Sequence, residues 1–372
     1  MDLIATSSAR FGFALLHELR RAHPTSNIGI SPINITLALA MLAGGARGQT
    51  LHGILRALSL DENDPATRDR ALEQLLHDLP QDPRVSLAIS NSLWANQQIG
   101  LDAGFVQRCR SLFGAEAAAL DFGAPDSPEQ INNWVSESTG GLIPSLVQRL
   151  GQNTLLLLLS AILFKGRWSR QFDPQRTQPV PFHLPDGNQR EHPLMFQKDE
   201  WRYGAYNRFE MVRLPYGTGR VAMYVLLPAE SSSLDALLRE LDAGRLELAI
   251  NGLSERDGLV ALPRTTLTYD GKLNRALEAL GMADAFGPQA DFGALLEGGS
   301  GPGLALSEAR HKSVLQIDEE GTRMAAITEM DITLSAPIEE PFRMVVDRPF
   351  CCAIRDDQSG ALLYLGVVCN PE

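Results

Sequence analysis

The run LLLLLSAILF, Leu155 to Phe164, constrains this chain most. It is too short to cross a bilayer as a helix, which takes about 20 apolar residues. Extended, it sends apolar side chains to both faces and suits a strand covered on both sides. The fold must therefore hold packed layers above and below a sheet. With 372 residues, 44% of them hydrophobic, the chain can bury a large core. Length alone suggests two domains. No linker divides the sequence, however, and PDGNQREHP and EGGSGPG are short enough to be surface loops. One domain, residues 1–372, is expected.

Around that strand the pattern runs from helices to strands. SPINITLALAMLAGG reads as a helix capped by Ser31, with Pro32 in its first position and Gly44-Gly45 closing it. PATRDRALEQLLHDL, DAGFVQRCRSLFG, SPEQINNWVSEST, SLDALLRELDAG and YDGKLNRALEALGM read as further helices. VSLAISNSLWA, FEMVRLPY, RVAMYVLLP, LALSEARHKSVLQI and ALLYLGVVC read as strands. This order predicts an α+β fold with antiparallel or mixed sheets.

Motifs for catalysis or cofactors are missing. YGTGRVA fits a GxGxxA pattern but joins two strands and opens no helix, so it predicts a hairpin turn. GGARGQT lacks the lysine of a phosphate loop, and GGSGP is one residue short of a nucleophile elbow. No pair of histidines has the spacing of a zinc helix; His183 and His192 read as surface residues of a proline-rich loop. No metal, cofactor or enzymatic activity is expected. A net charge of −12 disfavours nucleic acid and anionic membrane as partners. Cys109, Cys351, Cys352 and Cys369 have neither metal-site nor scaffold spacing and read as small buried hydrophobes. The first residues already read as an amphipathic helix, with Phe11, Leu15, Leu16 and Leu19 on one side. An extracellular or periplasmic location is expected if a leader has been removed, and a cytoplasmic one otherwise.

One segment fits none of these elements. From Glu319 to Pro341 the chain is strand-like, yet no partner strand is evident. Counted from Thr322, alternate positions Thr322, Met324, Ala326, Thr328, Met330, Ile332 and Leu334 carry no charge. The opposite set, Arg323 to Ser335, contains Arg323, Glu329 and Asp331, every charge between Thr322 and Ser335. That is the pattern of a strand able to enter a sheet with one face buried.

Seven stretches, in order along the chain, resemble the serpin superfamily. They are NIGISPINITLALAMLAGGARGQT, INNWVSESTGGLIPSLV, LLLLLSAILFKGRWSRQFDP, LPYGTGRVAMYVLLP, GKLNRALEALGMADAF, HKSVLQIDEEGTRMAAIT and VVDRPFCCAIRDDQSGALLYLGVVCNP. The resemblance covers nearly the whole chain and is to inhibitory, prokaryotic-like members. It implies helices packed around three β-sheets, with an exposed reactive-centre loop at about 319–341. In such proteins a serine protease attacks the loop and is held as an acyl-enzyme while the loop inserts into the main sheet. About 14 residues at about 3.3 Å each carry the protease on the order of 45 Å. The native fold is then metastable, and no cofactor takes part.

The resemblance also implies residue roles. The hinge would be Glu319, Glu320, Gly321, Thr322, Arg323, Met324, Ala325 and Ala326. Met324 and Ile327 are larger than the usual residues, so slower insertion with some substrate-like turnover is expected. Spacing from Gly321 places the reactive bond at Ser335–Ala336, spacing back from Pro349 gives Ile338, and Leu334 is a further candidate. None is basic, which favours an elastase-like or subtilisin-like target. Trp168, Arg264 and Glu319 match a latch at the loop's entry, where arginine could bond the carboxylate bidentately. Ser31, Asn34, Ser160 and His311 match a polar cluster controlling sheet opening, with Asn34 and Ser160 exchanged relative to the family and both facing His311. Acidic neighbours of the arginines in ATRDRALEQLLHDL argue against heparin activation. A monomer that polymerises on heating is expected. The rival readings are a non-inhibitory serpin (chaperone, carrier or storage protein) and a Ser/His hydrolase.

Overall fold

The computed structural model describes residues 2–151, 153–299, 303–320 and 340–371. Helix α1 (Leu3–Ala22) is capped by Asp2, whose carboxylate accepts from the backbone of Ile4 and Ala5. A short strand, β1 (Ile28–Ile30), leads to α2 (Pro32–Ala43), α3 (Gly48–Ala57) and α4 (Pro65–Asp78). Ser31 caps α2 as predicted, its hydroxyl accepting from Asn34 N. Next come β2 (Val85–Asn96), α5 (Ala103–Phe113), β3 (Glu116–Leu120), α6 (Ser127–Ser138) and β4 (Leu156–Gly166). The central stretch supplies β5 (Gln178–His183), β6 (Gln189–Ala205), β7 (Phe209–Tyr216), β8 (Val221–Pro228), α7 (Leu234–Glu240), α8 (Ala243–Asn251), β9 (Ser254–Pro263) and β10 (Thr265–Lys272). It is followed by α9 (Asn274–Leu277), α10 (Ala283–Phe286), β11 (Leu306–Ile317), β12 (Phe342–Val345), β13 (Phe350–Asp356) and β14 (Leu362–Val368).

Among the described residues these strands form two hydrogen-bonded sheets where three are expected. The smaller is mixed, in the order β10-β11-β4-β2-β3, with β11 parallel to β4 and β4 antiparallel to β2. The larger runs β1-β14-β13-β8-β7-β6-β9-β12, with β5 added to β6. It is continuous because β6, 17 residues long, pairs with β5 and β9 along most of its length and with β7 at its end.

Strand β4 is buried on both faces, as its composition requires. Leu156, Leu158 and Phe164 belong to the main core, whereas Leu157, Leu159 and Ala161 pack with Ile131 and Val135 of α6. Helix α2 lies inside the molecule, against β2, β4 and β14, with only Ala40 of its twelve residues incompletely buried. A helix apolar on nearly every side belongs in such a place.

The predicted elements hold with three corrections. The proline-rich stretch taken for a loop is the β5–β6 hairpin. β5 pairs only with β6, and on such an edge strand Pro179 and Pro181 cost no ladder bond. His192 of that hairpin is buried and bonded to Arg264 O at 2.8 Å, so it is no surface residue, and His183 sits opposite Gln189 instead of opposite His192. SLDALLRELDAG is two helices, because Asp242 caps α8 directly after α7 ends. Tyr269 to Lys272 belong to β10, so the following helix starts later than predicted. The Tyr216–Val221 connection is the expected hairpin turn, with Gly217 and Gly219 at positive φ. All four cysteines are buried and unpaired. No described helix is long and apolar enough to cross a membrane.

Candidate functional site at the head and base of the parallel strand pair

The pairing of β11 with β4 positions everything that follows. The two run parallel from Leu306–Leu156 to Leu315–Phe164, in one register from Glu308–Leu157 onward after a bulge at Ser307. Beyond that point β11 continues through Ile317 to Asp318, Glu319 and Glu320, where the described chain stops. Gly321, Thr322, Arg323, Met324, Ala325, Ala326 and the candidate bond positions Leu334, Ser335, Ala336 and Ile338 lie outside the described residues.

The segment after β4 grips the last three described residues by their backbone. Trp168 Nε1 donates to Asp318 O at 2.8 Å, Phe172 N to Glu319 O at 3.2 Å and Gln171 Nε2 to Glu320 O at 3.0 Å. Trp168 is itself fixed by packing: it stacks on Tyr216 with ring centres 4.2 Å apart and meets Phe172 edge-on. Burial pushes the Tyr216 phenol well above its ordinary pKa, so the ring stays neutral beneath the indole.

The Glu319 carboxylate is buried and accepts from Thr177 Oγ1 at 2.7 Å. Arg264 reaches the same oxygen with a single contact of 3.7 Å, and its side chain is 54% exposed. The bidentate pair expected from sequence is therefore absent, and the strong partner is Thr177. Sequence reasoning missed Gln171, Phe172 and Thr177; all three lie in or just beyond the quoted WSRQFDP, the only signal that could have found them. An exposed ion pair contributes about 0–1 kcal/mol, whereas a lost hydrogen bond to a buried charged group costs about 1.5–3 kcal/mol. Thr177→Val is accordingly expected to release the base of the loop more than Arg264→Ala does. Hydrogen exchange at residues 317–320 measures this, and a larger increase in Arg264→Ala would reverse the ranking.

The second predicted group lies beneath the same strand pair. Ser31, Asn34, Ser160 and His311 are all buried, and His311 stands beside Ser160 in the register of β11 and β4. Ser31 N donates to His311 Nε2 at 3.1 Å. An accepting Nε2 puts the proton of the neutral ring on Nδ1, which donates to Ser160 Oγ at 3.1 Å. Burial drives the His311 pKa down to about 3, so the ring is uncharged at neutral pH. The imidazole thus joins the N-terminus of α2 to both central strands.

Asn34 does not face His311. Its amide Nδ2 donates to Ala161 O at 2.9 Å, and Oδ1 is buried without a partner among the described residues. Asn91 of β2, opposite Ser160, is a buried amide with neither polar atom partnered among the described residues, and nothing in the sequence singled it out. Because Asn34 and Ser160 use different partners, Asn34→Ser and Ser160→Asn are expected to destabilise independently, Asn34→Ser by about 1–3 kcal/mol. Melts of both single variants and the double variant check this: the effects should add to within about 0.5 kcal/mol. Recovery in the double variant would restore the exchange inferred from sequence.

Comparison with known proteins matches this arrangement. The family model described as serpin (serine protease inhibitor) matches residues 6–371. The leukocyte elastase inhibitor of Equus caballus is 33% identical, with 100% of both chains covered. The corticosteroid-binding globulin of Oryctolagus cuniculus is 31% identical, over 99% of this chain and 96% of that protein. The thermophilic serpin tengpin, in its native state, superposes with a TM-score of 0.88 at 27% identity, over 98% of this chain and 94% of the other. The match along the chain, the likeness of the fold and the sequence motifs agree that this protein belongs to the serpin family.

Proposed function

We propose that the protein is an inhibitory serpin, a suicide substrate for a serine protease. The observation that carries this reading is the parallel β11–β4 pair, which leads at one end directly into the segment with an uncharged alternate face. Attack by the protease serine on the loop carbonyl forms an acyl-enzyme and frees the new amino terminus. The loop portion behind the acyl bond then separates β11 from β4 and pairs with both. Each backbone group gained by the new central strand finds a partner, and its uncharged face enters the core. The acylated protease is carried along, distorted, and left unable to hydrolyse the ester. In this reaction the chain is a substrate and no catalyst.

The reactive bond is Ser335–Ala336, with Leu334 and Ile338 as alternatives, and the target has a small or apolar specificity pocket of elastase-like or subtilisin-like type. The latch and the buried histidine cluster hold the sheet closed until cleavage. The whole chain acts as one domain and a monomer, and polymerises when heat opens the sheet. Polyanion activation is not expected, since the charges of Arg68 and Arg70 of α4 are offset by Asp69, Glu73 and Asp78. A non-inhibitory role, suggested by the likeness to corticosteroid-binding globulin, is disfavoured by the small hinge residues Thr322, Ala325 and Ala326.

Incubation with elastase-, subtilisin-, chymotrypsin- and trypsin-like proteases tests the proposal. A band stable in SDS at the summed mass of serpin and protease is expected with the first two. Cleavage of the loop by all four without any such band would overturn it.

A further inference from the structure

A groove of about 380 Å³ opens between the end of the β6–β7 hairpin and the helix pair α7–α8, away from the latch. Its floor is aromatic and aliphatic. Tyr206 and Phe209 stack with ring centres 4.7 Å apart, and the Tyr206 hydroxyl is tied to Ala249 O, which fixes the pair against α8. Leu248 stands at the groove 73% exposed, more than the other large exposed hydrophobics, Leu142 and Leu155. Exposing a leucine to this degree beside an open aromatic pair leaves apolar area that a ligand could cover.

The rim is cationic. Arg208 and Arg245 converge on the single carboxylate of Glu240, at 3.2 and 3.5 Å, so the three side chains carry a net positive charge. A guanidinium has five donors, and one contact to Glu240 leaves donors of both arginines for another acceptor. Over a chain of net charge −12 this is a local attraction for an anion.

From an aromatic floor beneath a rim with one surplus positive charge, we infer that this groove binds a small, flat apolar molecule carrying one acidic group, such as an aromatic carboxylate or sulfonate. The body covers Leu248 and lies against Tyr206 and Phe209, while the acid takes the free donors of Arg208 and Arg245. The site is independent of protease trapping.

Titration of the full chain with anilinonaphthalene sulfonate, followed by fluorescence and calorimetry, tests the inference. The expected result is saturable binding at one site per chain, with Kd on the order of 10 μM. Leu248→Asp and Arg245→Glu change exposed side chains, and circular dichroism checks that both variants remain folded. Each should weaken binding at least about tenfold, whereas Leu142→Asp, at an exposed leucine elsewhere, should not. Neutral phenylnaphthylamine should bind at least about fivefold more weakly than the sulfonate. Unsaturable binding, or unchanged binding in Leu248→Asp, would place the dye elsewhere and overturn the site. Equal affinity for the neutral dye would overturn the role of the arginines.

Discussion

Thr322→Arg is expected to turn the protein from an inhibitor into a substrate. Thr322 leads the uncharged alternate face, so in the proposed mechanism it is the first side chain carried inward when the loop enters between β11 and β4. An unpaired guanidinium there costs several kcal/mol, and it must be desolvated before later residues contribute any burial. Insertion then becomes slower than hydrolysis of the acyl-enzyme, and the protease is released. Binding and cleavage at the proposed reactive bond, Ser335–Ala336, do not involve this position. Gel analysis should show complete cleavage of the variant with the covalent band reduced at least about tenfold. The neighbouring Arg323 already carries a charge on the opposite face, which makes Arg323→Thr a control expected to trap normally. A full yield of covalent complex from Thr322→Arg would remove the insertion step from the account.

Acid should weaken the native fold through His311. Its folded pKa is about 3 against an ordinary value of 6.5, because burial disfavours the charged ring. The unfolded chain therefore binds a proton that the folded chain refuses across this window, and stability falls as pH falls. Above pH 6.5 the contribution is complete, and it is lost progressively down to about 3, on the order of 5 kcal/mol in all. His311→Gln removes the titration. At pH 4.5 the parent should have lost about 2–3 kcal/mol more than the variant, relative to pH 7. Urea unfolding of both proteins at the two pH values gives the comparison. Parallel profiles would mean that His311 is protonated in the native state or does not titrate in this window. The expected molecular consequence is specific, since a charged ring would leave Ser31 N facing a donor in place of an acceptor, and so loosen α2 from the central strands.

Much of this was legible in the sequence, where local chemistry and periodicity agree. Leu155 to Phe164 announced a doubly covered strand because its apolar side chains alternate between two cores, and Ser31-Pro32 announced a buried helix by its cap. The β5–β6 hairpin was hidden because prolines disfavour a strand everywhere except at a sheet edge, and edge position is a property of topology. At the latch, a long-range match named Trp168, Arg264 and Glu319. Only geometry could show that Thr177 makes the shorter bond and that backbone carbonyls carry most of the grip. The destination of the Asn34 amide was equally unreadable, since a one-residue step from Ser160 to Ala161 changes its partner from a side chain to the strand backbone.

The proposed trapping requires the cleaved loop to become a strand of the smaller sheet. Burying Met324, Met330, Ile332 and Leu334 contributes about 1.5–3 kcal/mol each before the entropy of ordering the loop is subtracted. The most direct measurement is the thermal unfolding of the protein before and after a single cut in the loop by a protease that it does not trap. If the loop inserts, the cut protein should melt at least about 10 °C higher than the intact one. A melting point that is unchanged or lower after cleavage would contradict insertion of the loop.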